Sequence, residues 1–381
     1  MPIRLSLATL AVACLPLGLA QAEDFKIGVI QPLTGPGAEI GRRNAEGVKG
    51  AIELANERGG IGGMHVSEIV CDTQSVEQQA VLCTRRLVTE EKVNLLAAAG
   101  TTPQTLAIVP TVEAAKVPLF SIAGGTILFK PLRTWVFKAL AGNDDQIPAA
   151  VDFLKGKGVQ RLAIIRDNGP FGTDVAENLK PYAAKLGIEI VAEEIYSPTD
   201  TDMTAQVTRL RAPKPDAIFD MSSNPPPGAI IAKKIAQLGM TVPIVVGSNL
   251  QTSDFAKLSG DAADQLLFIG QKASMNQIAP DDPLAANIAG FRVAFAKANP
   301  GSELVALSTS AADLVLIAQV AAKPLGAKAL DGETLRQALE GVKALPVIQG
   351  IWTFSPTSHD SALKDGIALL NYRSGNWVAA Q

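Results

Sequence analysis

Apolar positions along this chain follow two alternating periods. Phe25–Ile30 is a short β-prone run, after which Val48, Ala51, Ile52 and Ala55 recur at helical spacing. Gly59, Gly60, Gly62 and Gly63 break that helix. His65–Val70 reads as the next strand, Val76, Ala80, Cys83 and Leu87 as one face of the next helix, and Val93–Ala98 as a third strand. Pro103 opens another helix, and Pro118–Ser121 reads as a fourth strand. The rhythm restarts after Asn143 with a helix over Pro148–Lys155. Strands at Arg161–Ile165, Glu189–Ala192, Ala217–Met221 and Pro243–Val246 then alternate with helices after Phe171-Gly172, over Thr204–Arg211 and over Ala229–Leu238. Such alternation predicts an α/β fold of doubly wound parallel sheets, and the restart predicts two similar lobes. The pattern is irregular over Gln271–Ile278, as a crossing between lobes would be. Helices follow at Asn287–Ala298 and Ala311–Ala322. The tail holds Trp352, Phe354, Tyr372 and Trp377 among turn residues, which predicts short antiparallel strands.

The first residues fit a different role. Arg4 precedes an apolar run from Leu5 to Ala20 that ends in Ala20-Gln21-Ala22, a small-x-small site. A basic start, a short apolar core and such a site read as a secretory leader cleaved after Ala22, which places the mature chain in the periplasm. Pro16 and Gly18 argue against a membrane-spanning helix, and no later segment is long and apolar enough to be one. The residue three before Cys14 is Ala11, which argues against lipidation. Cleavage removes Cys14 and leaves Cys71 and Cys83, an even pair that in an exported chain reads as one disulfide worth about 2–3 kcal/mol. Two buried free thiols are the alternative. The formal charge of −3 disfavours a nucleic-acid partner.

In open α/β sheets ligands sit beyond the C-terminal ends of the strands. Those are the places where this chain concentrates Gly, Ser, Thr and Asn. Gly100-Thr101-Thr102-Pro103 follows the third strand, and Ser121-Ile122-Ala123-Gly124-Gly125-Thr126 the fourth. Asp167–Gly172 follows the first strand of the second lobe, Ser222–Gly228 its third and Gly247-Ser248-Asn249 its fourth. Thr102-Pro103 suits a helix start, with Thr as N-cap and Pro at the first helical position. The free N–H groups and dipole there favour an anion, so a carboxylate is expected against Gly100–Thr102 and Ala123–Thr126. Simple capping by Thr102 is the competing reading.

Phe25-Lys26-Ile27-Gly28-Val29, Pro32-Leu33-Thr34-Gly35, Gly41, Gly47, Asn56 and Gly59-Gly60-Ile61-Gly62-Gly63 resemble the start of the leucine/isoleucine/valine-binding protein family, the type I periplasmic receptors of branched-chain amino-acid-type ABC transporters. Pro118-Leu119-Phe120-Ser121, Asp145-Gln146, Asp167-x-x-x-Phe171-Gly172, Gly350-Ile351-Trp352-Thr353-Phe354 and Gly375-Asn376-Trp377 continue the likeness over nearly the whole mature chain. The resemblance implies two Rossmann-like lobes joined by three crossings, residues 23–143 with 273–348 and residues 144–272 with 349–381. It implies a ligand carboxylate on Gly100–Thr102 and Ala123–Thr126, with Ser121 beside them. Ile40 matches an aromatic that packs on the ligand, and Phe171 a second-lobe aromatic lining the cleft. It also implies a monomer that serves an inner-membrane permease and its ATPase, or presents its ligand to a membrane sensor.

One departure bears on the ligand. Amino-acid receptors of this family carry a second-lobe glutamate that pairs with the ligand ammonium, and Pro226 stands at that place here. No acid lies between Met221 and Gly228. A buried ammonium without a counter-charge costs several kcal/mol. The expected ligand is therefore a small aromatic or aliphatic acid without an α-amino group, its other polar groups met by Ser223, Asn224, Asn249, Gln271 and Lys272. Amino-acid binding by the same fold is the alternative.

Enzyme signatures are weak. Gly35-x-Gly37-x-x-x-Gly41 is too far from its strand for a dinucleotide fingerprint, and neither a Gly-x-Ser-x-Gly elbow nor a phosphate-binding Gly-Lys loop occurs. His65 and His359, the two histidines, lie far apart, with His359 read as part of a polar turn. No catalytic residue, metal site or cofactor is expected.

Overall fold

The computed structural model describes residues 23–381; the leader, its cleavage site and Cys14 lie outside the described residues. The first lobe is built on a parallel sheet of β1 (Phe25–Gln31), β2 (Val66–Asp72), β3 (Leu95–Ala98), β4 (Leu119–Ser121) and β5 (Val136–Lys138), in the order β2-β1-β3-β4-β5. Between these strands run α1 (Ala38–Glu57), α2 (Glu77–Thr89) and α3 (Thr102–Ala115). Strand β1 is buried along nearly its whole length because helices cover both faces of the sheet. Cys71 and Cys83 form a disulfide that ties the end of β2 to α2.

The chain then passes into α4 (Asn143–Gly156) and the second lobe. Strands β6 (Arg161–Asp167), β7 (Glu189–Tyr196), β8 (Ala217–Asp220), β9 (Ile244–Val246) and β10 (Leu266–Gln271) alternate with α5 (Pro170–Lys185), α6 (Thr204–Arg211), α7 (Pro225–Gln237) and the short α8 (Ser253–Leu258). From Gln271 the chain returns to the first lobe with α9 (Ala285–Ala298), α10 (Ala306–Ala322), α11 (Gly332–Glu340) and the small hairpin of β11 (Leu345–Pro346) and β12 (Ile351–Trp352). It ends in the second sheet as the antiparallel pair β13 (Ile367–Arg373) and β14 (Asn376–Ala379), giving the order β14-β13-β10-β9-β8-β6-β7.

Several boundaries differ from the sequence reading. Helix α4 starts at Asn143 rather than Pro148, because the Asp145 carboxylate accepts from the Gly142 N–H at 3.2 Å and so holds the first turn. Strands β5 and β10 were not anticipated: β5 is three residues long and ends in a lysine, and β10 is an uninterrupted apolar run with no period to read. The return to the second lobe also comes later than residue 349. Trp352, Phe354 and Leu363 belong to the first-lobe core, where Phe354 packs against Phe120 and Phe137 and the Trp352 indole donates to Asp313 at 2.6 Å.

The crossings are fastened to one another. Lys138, fully buried at the end of β5, donates to Asp144 (3.1 Å), Asp145 (2.7 Å) and Asp360 (2.8 Å). Burial opposes its charge, yet the three carboxylates outweigh this and hold the ammonium above its ordinary range. Asp145 also accepts the Leu363 N–H at 2.9 Å, and Lys272 N–H donates to Gly366 at 2.8 Å. His359 is buried rather than in a solvated turn: its ring stacks on Phe137 and contacts Val136 O at 3.1 Å and Glu340 at 3.0 Å.

Candidate ligand-binding cleft

Between the lobes lies a cleft of about 380 Å³, formed where the strand ends of both sheets face each other. The first lobe contributes Gly100, Thr101 and Thr102 from the β3–α3 turn and Ala123 and Gly124 from the segment after β4. Phe171, Ser223, Asn224 and Asn249 come from the second lobe. Nine of the fifteen residues expected from sequence to contact ligand thus line one cavity. Its body is apolar, with Ile122, Leu140, Leu307 and Phe171 inside and Pro36, Pro103, Pro170 and Pro198 around them.

The β3–α3 turn is one residue out of phase with expectation. Thr101, extended at φ −134° and ψ 147°, holds the cap position, and Thr102 is the first helical residue. Neither hydroxyl caps the helix. The oxygens Thr101 Oγ1 and Thr102 Oγ1 are buried and have no hydrogen-bond partner among the described residues. A buried hydroxyl left this way costs about 1–3 kcal/mol unless a ligand meets it. The amides of Thr102 and Gln104 lie in the first turn of α3, where no intrahelical acceptor exists. Gly124 faces the opposite lobe closely: a Cβ there would stand 3.9 Å from the Phe171 ring.

The other expected residues lie elsewhere. Ile40 is buried with Val305 and Leu307 beneath the turn, and a Cβ on Gly100 would come within 2.9 Å of it, so it supports the site from behind while Leu307 lines it. Ser121 is buried within β4, where its hydroxyl accepts from the Ala123 N–H at 3.3 Å. Gly125 packs on Thr102, where a Cβ would meet the side chain at 2.8 Å. Thr126 is committed to the other lobe: its N–H donates to Asp174 at 3.1 Å, its hydroxyl also bonds that carboxylate, and the Ile127 N–H adds a third bond at 3.2 Å. Its amide is thus already satisfied. Pro226 is exposed at the start of α7 and outside the cleft lining. Gln271 is buried at the end of β10, and Lys272 pairs with Asp282 at 3.0 Å, so neither reaches the cavity.

Sequence reasoning missed part of the second-lobe wall. Asp167, which ends β6, is 2% exposed and lines the cleft. Its Oδ1 accepts from the Gly169 N–H at 2.8 Å, while Oδ2 is buried without a partner. Gln146 reaches the cavity from α4 and is spent internally, donating to Ala141 O at 2.7 Å and accepting from Ser248 N–H at 3.1 Å. Pro198 and Thr199 follow β7, a strand end the topological rule would have flagged. Behind the wall Asp220 is fully buried; its Oδ1 accepts from the Ser222 hydroxyl at 2.6 Å, and that hydroxyl accepts from Tyr196 at 2.7 Å. Burial pushes the Asp220 carboxyl up to about 7 against the pull of the Ser222 bonds, and the nearby Asp167 charge raises it further.

The lobes also touch on the far flank. Glu303 of the first lobe accepts from Ser253 Oγ at 2.7 Å and from the Trp377 indole at 3.0 Å, both on the second lobe. Together with Asp174 on Thr126, these bonds join the two lobes at residues outside the cleft lining. No group of three or more metal-ligating side chains occurs among the described residues.

Two sheets facing one cleft across three crossings match a known family along almost the whole chain: its profile, described as periplasmic binding protein, covers residues 24–375. The chain belongs to the periplasmic binding protein family. Over full lengths of both chains it is 28% identical to the Leu/Ile/Val-binding protein BraC3 of Rhizobium johnstonii. An extracellular ligand-binding receptor from Rhodopseudomonas palustris HaA2 superimposes with a TM-score of 0.85 at 26% identity, over 94% of this chain and all of the other. The Streptococcus pneumoniae branched-chain amino acid binding protein LivJ, solved with isoleucine, shares the fold with a TM-score of 0.82 at 22% identity, over 94% of this chain and 99% of its own. These relatives are named as ligand-binding proteins, and the family match over residues 24–375 makes this chain a periplasmic binding protein.

Proposed function

We propose that this protein captures a small carboxylate without an α-amino group in the periplasm, after its leader is cleaved behind Ala22, and delivers it as a monomer to an inner-membrane ABC permease with its ATPase. One observation carries the reading. At the start of α3, two buried hydroxyls without partners and two first-turn amides converge on an otherwise apolar cavity. That set meets an anionic oxygen pair well. Across the cleft, the 221–228 turn supplies no carboxylate to pair an ammonium. Ligand bound to both walls favours the closed arrangement of the lobes, and the transporter reads that arrangement.

A second reading has its own support. Asp167 lines the cleft wall and its buried Oδ2 has no donor, which a ligand ammonium would supply. The named function of BraC3 points the same way, toward leucine, isoleucine or valine. Calorimetric titration separates the two. Binding of benzoate or 4-methylpentanoate with no heat from leucine supports the acid reading, and tight leucine binding with no response to acids removes it. Native mass spectrometry of freshly purified protein gives an independent check through the mass of any co-purified acid.

A further inference from the structure

The two walls of the cleft offer opposite hydrogen-bonding chemistry. The first-lobe wall offers donors, the amides and hydroxyls of the β3–α3 turn. On the second-lobe wall, α7 is a 13-residue helix whose first three residues are Pro225, Pro226 and Pro227. None of them has an N–H, so the donors a helix start normally offers are missing there. The side chains beside it have their own donors turned inward. Asn249 donates to Ser222 O at 2.8 Å and to Ser223 O at 3.3 Å, and Asn224 donates to Ser223 Oγ at 3.4 Å. Among the described residues, the buried side-chain atoms of this wall left without a partner are both acceptors: Asn224 Oδ1, and Asp167 Oδ2 on a residue that is 2% exposed. Helix α5 opens on Pro170, and its positive end already faces the Asp167 carboxylate.

We infer that the second-lobe wall selects acids bearing a hydrogen-bond donor, such as a hydroxyl, at the end away from the carboxylate, and rejects dianions, with Asn224 Oδ1 as the accepting atom. This rests on the reading of the cleft as an acid site. A neutral acceptor beside a buried carboxylate rewards an incoming O–H and repels a second negative charge. An ether or a bare C–H at the same place leaves both acceptors unpaired, and a site built to hydrogen-bond one group discriminates strongly against its absence.

The test is calorimetry of the purified protein with matched probes: benzoate, 4-hydroxybenzoate, 4-methoxybenzoate and terephthalate, then pentanoate, 5-hydroxypentanoate and glutarate. The expected result is at least a tenfold preference for the hydroxylated member of one series over its unsubstituted parent, with the methyl ether no better than the parent and the dianion undetected. In Asn224→Ala that preference ratio should fall toward one, and Asn224→Asp, which keeps an acceptor, should restore it. A parent acid that binds as tightly as its hydroxylated partner, or a dianion that binds equally well, overturns this inference and leaves the acid site standing. Failure of every probe in both series overturns the acid site and the inference together. Far-ultraviolet circular dichroism of both variants shows that the fold is kept.

Discussion

The β3–α3 and β8–α7 turns occupy equivalent places in the two lobes and have nearly the same backbone. Thr101 holds the cap position of α3 at φ −134° and ψ 147°, and Asn224 that of α7 at φ −135° and ψ 149°, neither with a side-chain cap bond. Their chemistry is nevertheless opposed. Helix α3 has a single proline in its first turn and keeps the amides of Thr102 and Gln104, whereas α7 has three and keeps none of its first three. A helix start is an anion site only where its N–H groups exist. Shared geometry alone therefore says little about what either turn recognises.

The largest expected effect concerns the wall behind α7. Asp220 has a folded-state pKa of about 7, above the ordinary carboxyl value, so its contribution to stability is full below about pH 4 and is lost as pH rises through 7. Asp220→Asn should cancel that loss, raising stability at pH 8 by on the order of 2–4 kcal/mol relative to the parent while changing little at pH 4. Urea unfolding at the two pH values measures it; equal shifts at both would mean that Asp220 is ionised throughout.

Next is the conversion of one turn into the other. Thr102→Pro removes one of the two first-turn amides of α3, together with the hydroxyl, and so moves it toward the donor-poor start of α7. Proline is tolerated in a first helical turn, so unliganded stability should hold, while affinity for the best-binding acid falls by about 2–3 kcal/mol. Titration paired with thermal unfolding checks both halves. If affinity were kept, neither the Thr102 amide nor its hydroxyl would hold the anion. Thr102→Val is a finer cut, because it removes only the hydroxyl. It should weaken binding by about 1–2 kcal/mol without loosening α3, since that hydroxyl caps nothing in the structure. A drop in unliganded melting temperature would reinstate the capping role.

The smallest effect concerns the far flank. Ser253 and Trp377 bond different oxygens of Glu303, so Glu303→Gln keeps an acceptor for only one of them and removes the charge, and should favour lobe opening by about 1 kcal/mol. Small-angle scattering would show a slightly larger unliganded radius of gyration, and an unchanged profile would mean that this contact does not set the opening.

Much of this architecture could be read directly from the chain. Strong periodicity in α1 and α2, and apolar runs bounded by Gly and Pro, located most elements of the first lobe because each element's pattern is local. The loops carrying Gly100–Thr102, Ala123–Gly124, Phe171, Ser223–Asn224 and Asn249, which line the cleft, were picked out by one topological rule, that ligands meet the C-terminal strand ends. That rule could not say which side chains turn inward. Thr126 reads like a ligand residue and is held by Asp174, a residue 48 positions away. Ile40 reads like a contact residue and lies behind Gly100.

What the sequence determined by itself was the alternation that makes two α/β lobes, the cysteine pair, and the prolines that strip α7 of donors. These are properties of single residues and short spacings. Only the tertiary structure decided that Lys138 is buried among three aspartates, that Asp167 joins the cleft wall, and that the third crossing leaves the first lobe beyond Leu363. Each of these depends on groups brought together from distant parts of the chain, where the free energy of burying a charge or an aromatic ring is settled by its neighbours rather than by its position in the sequence.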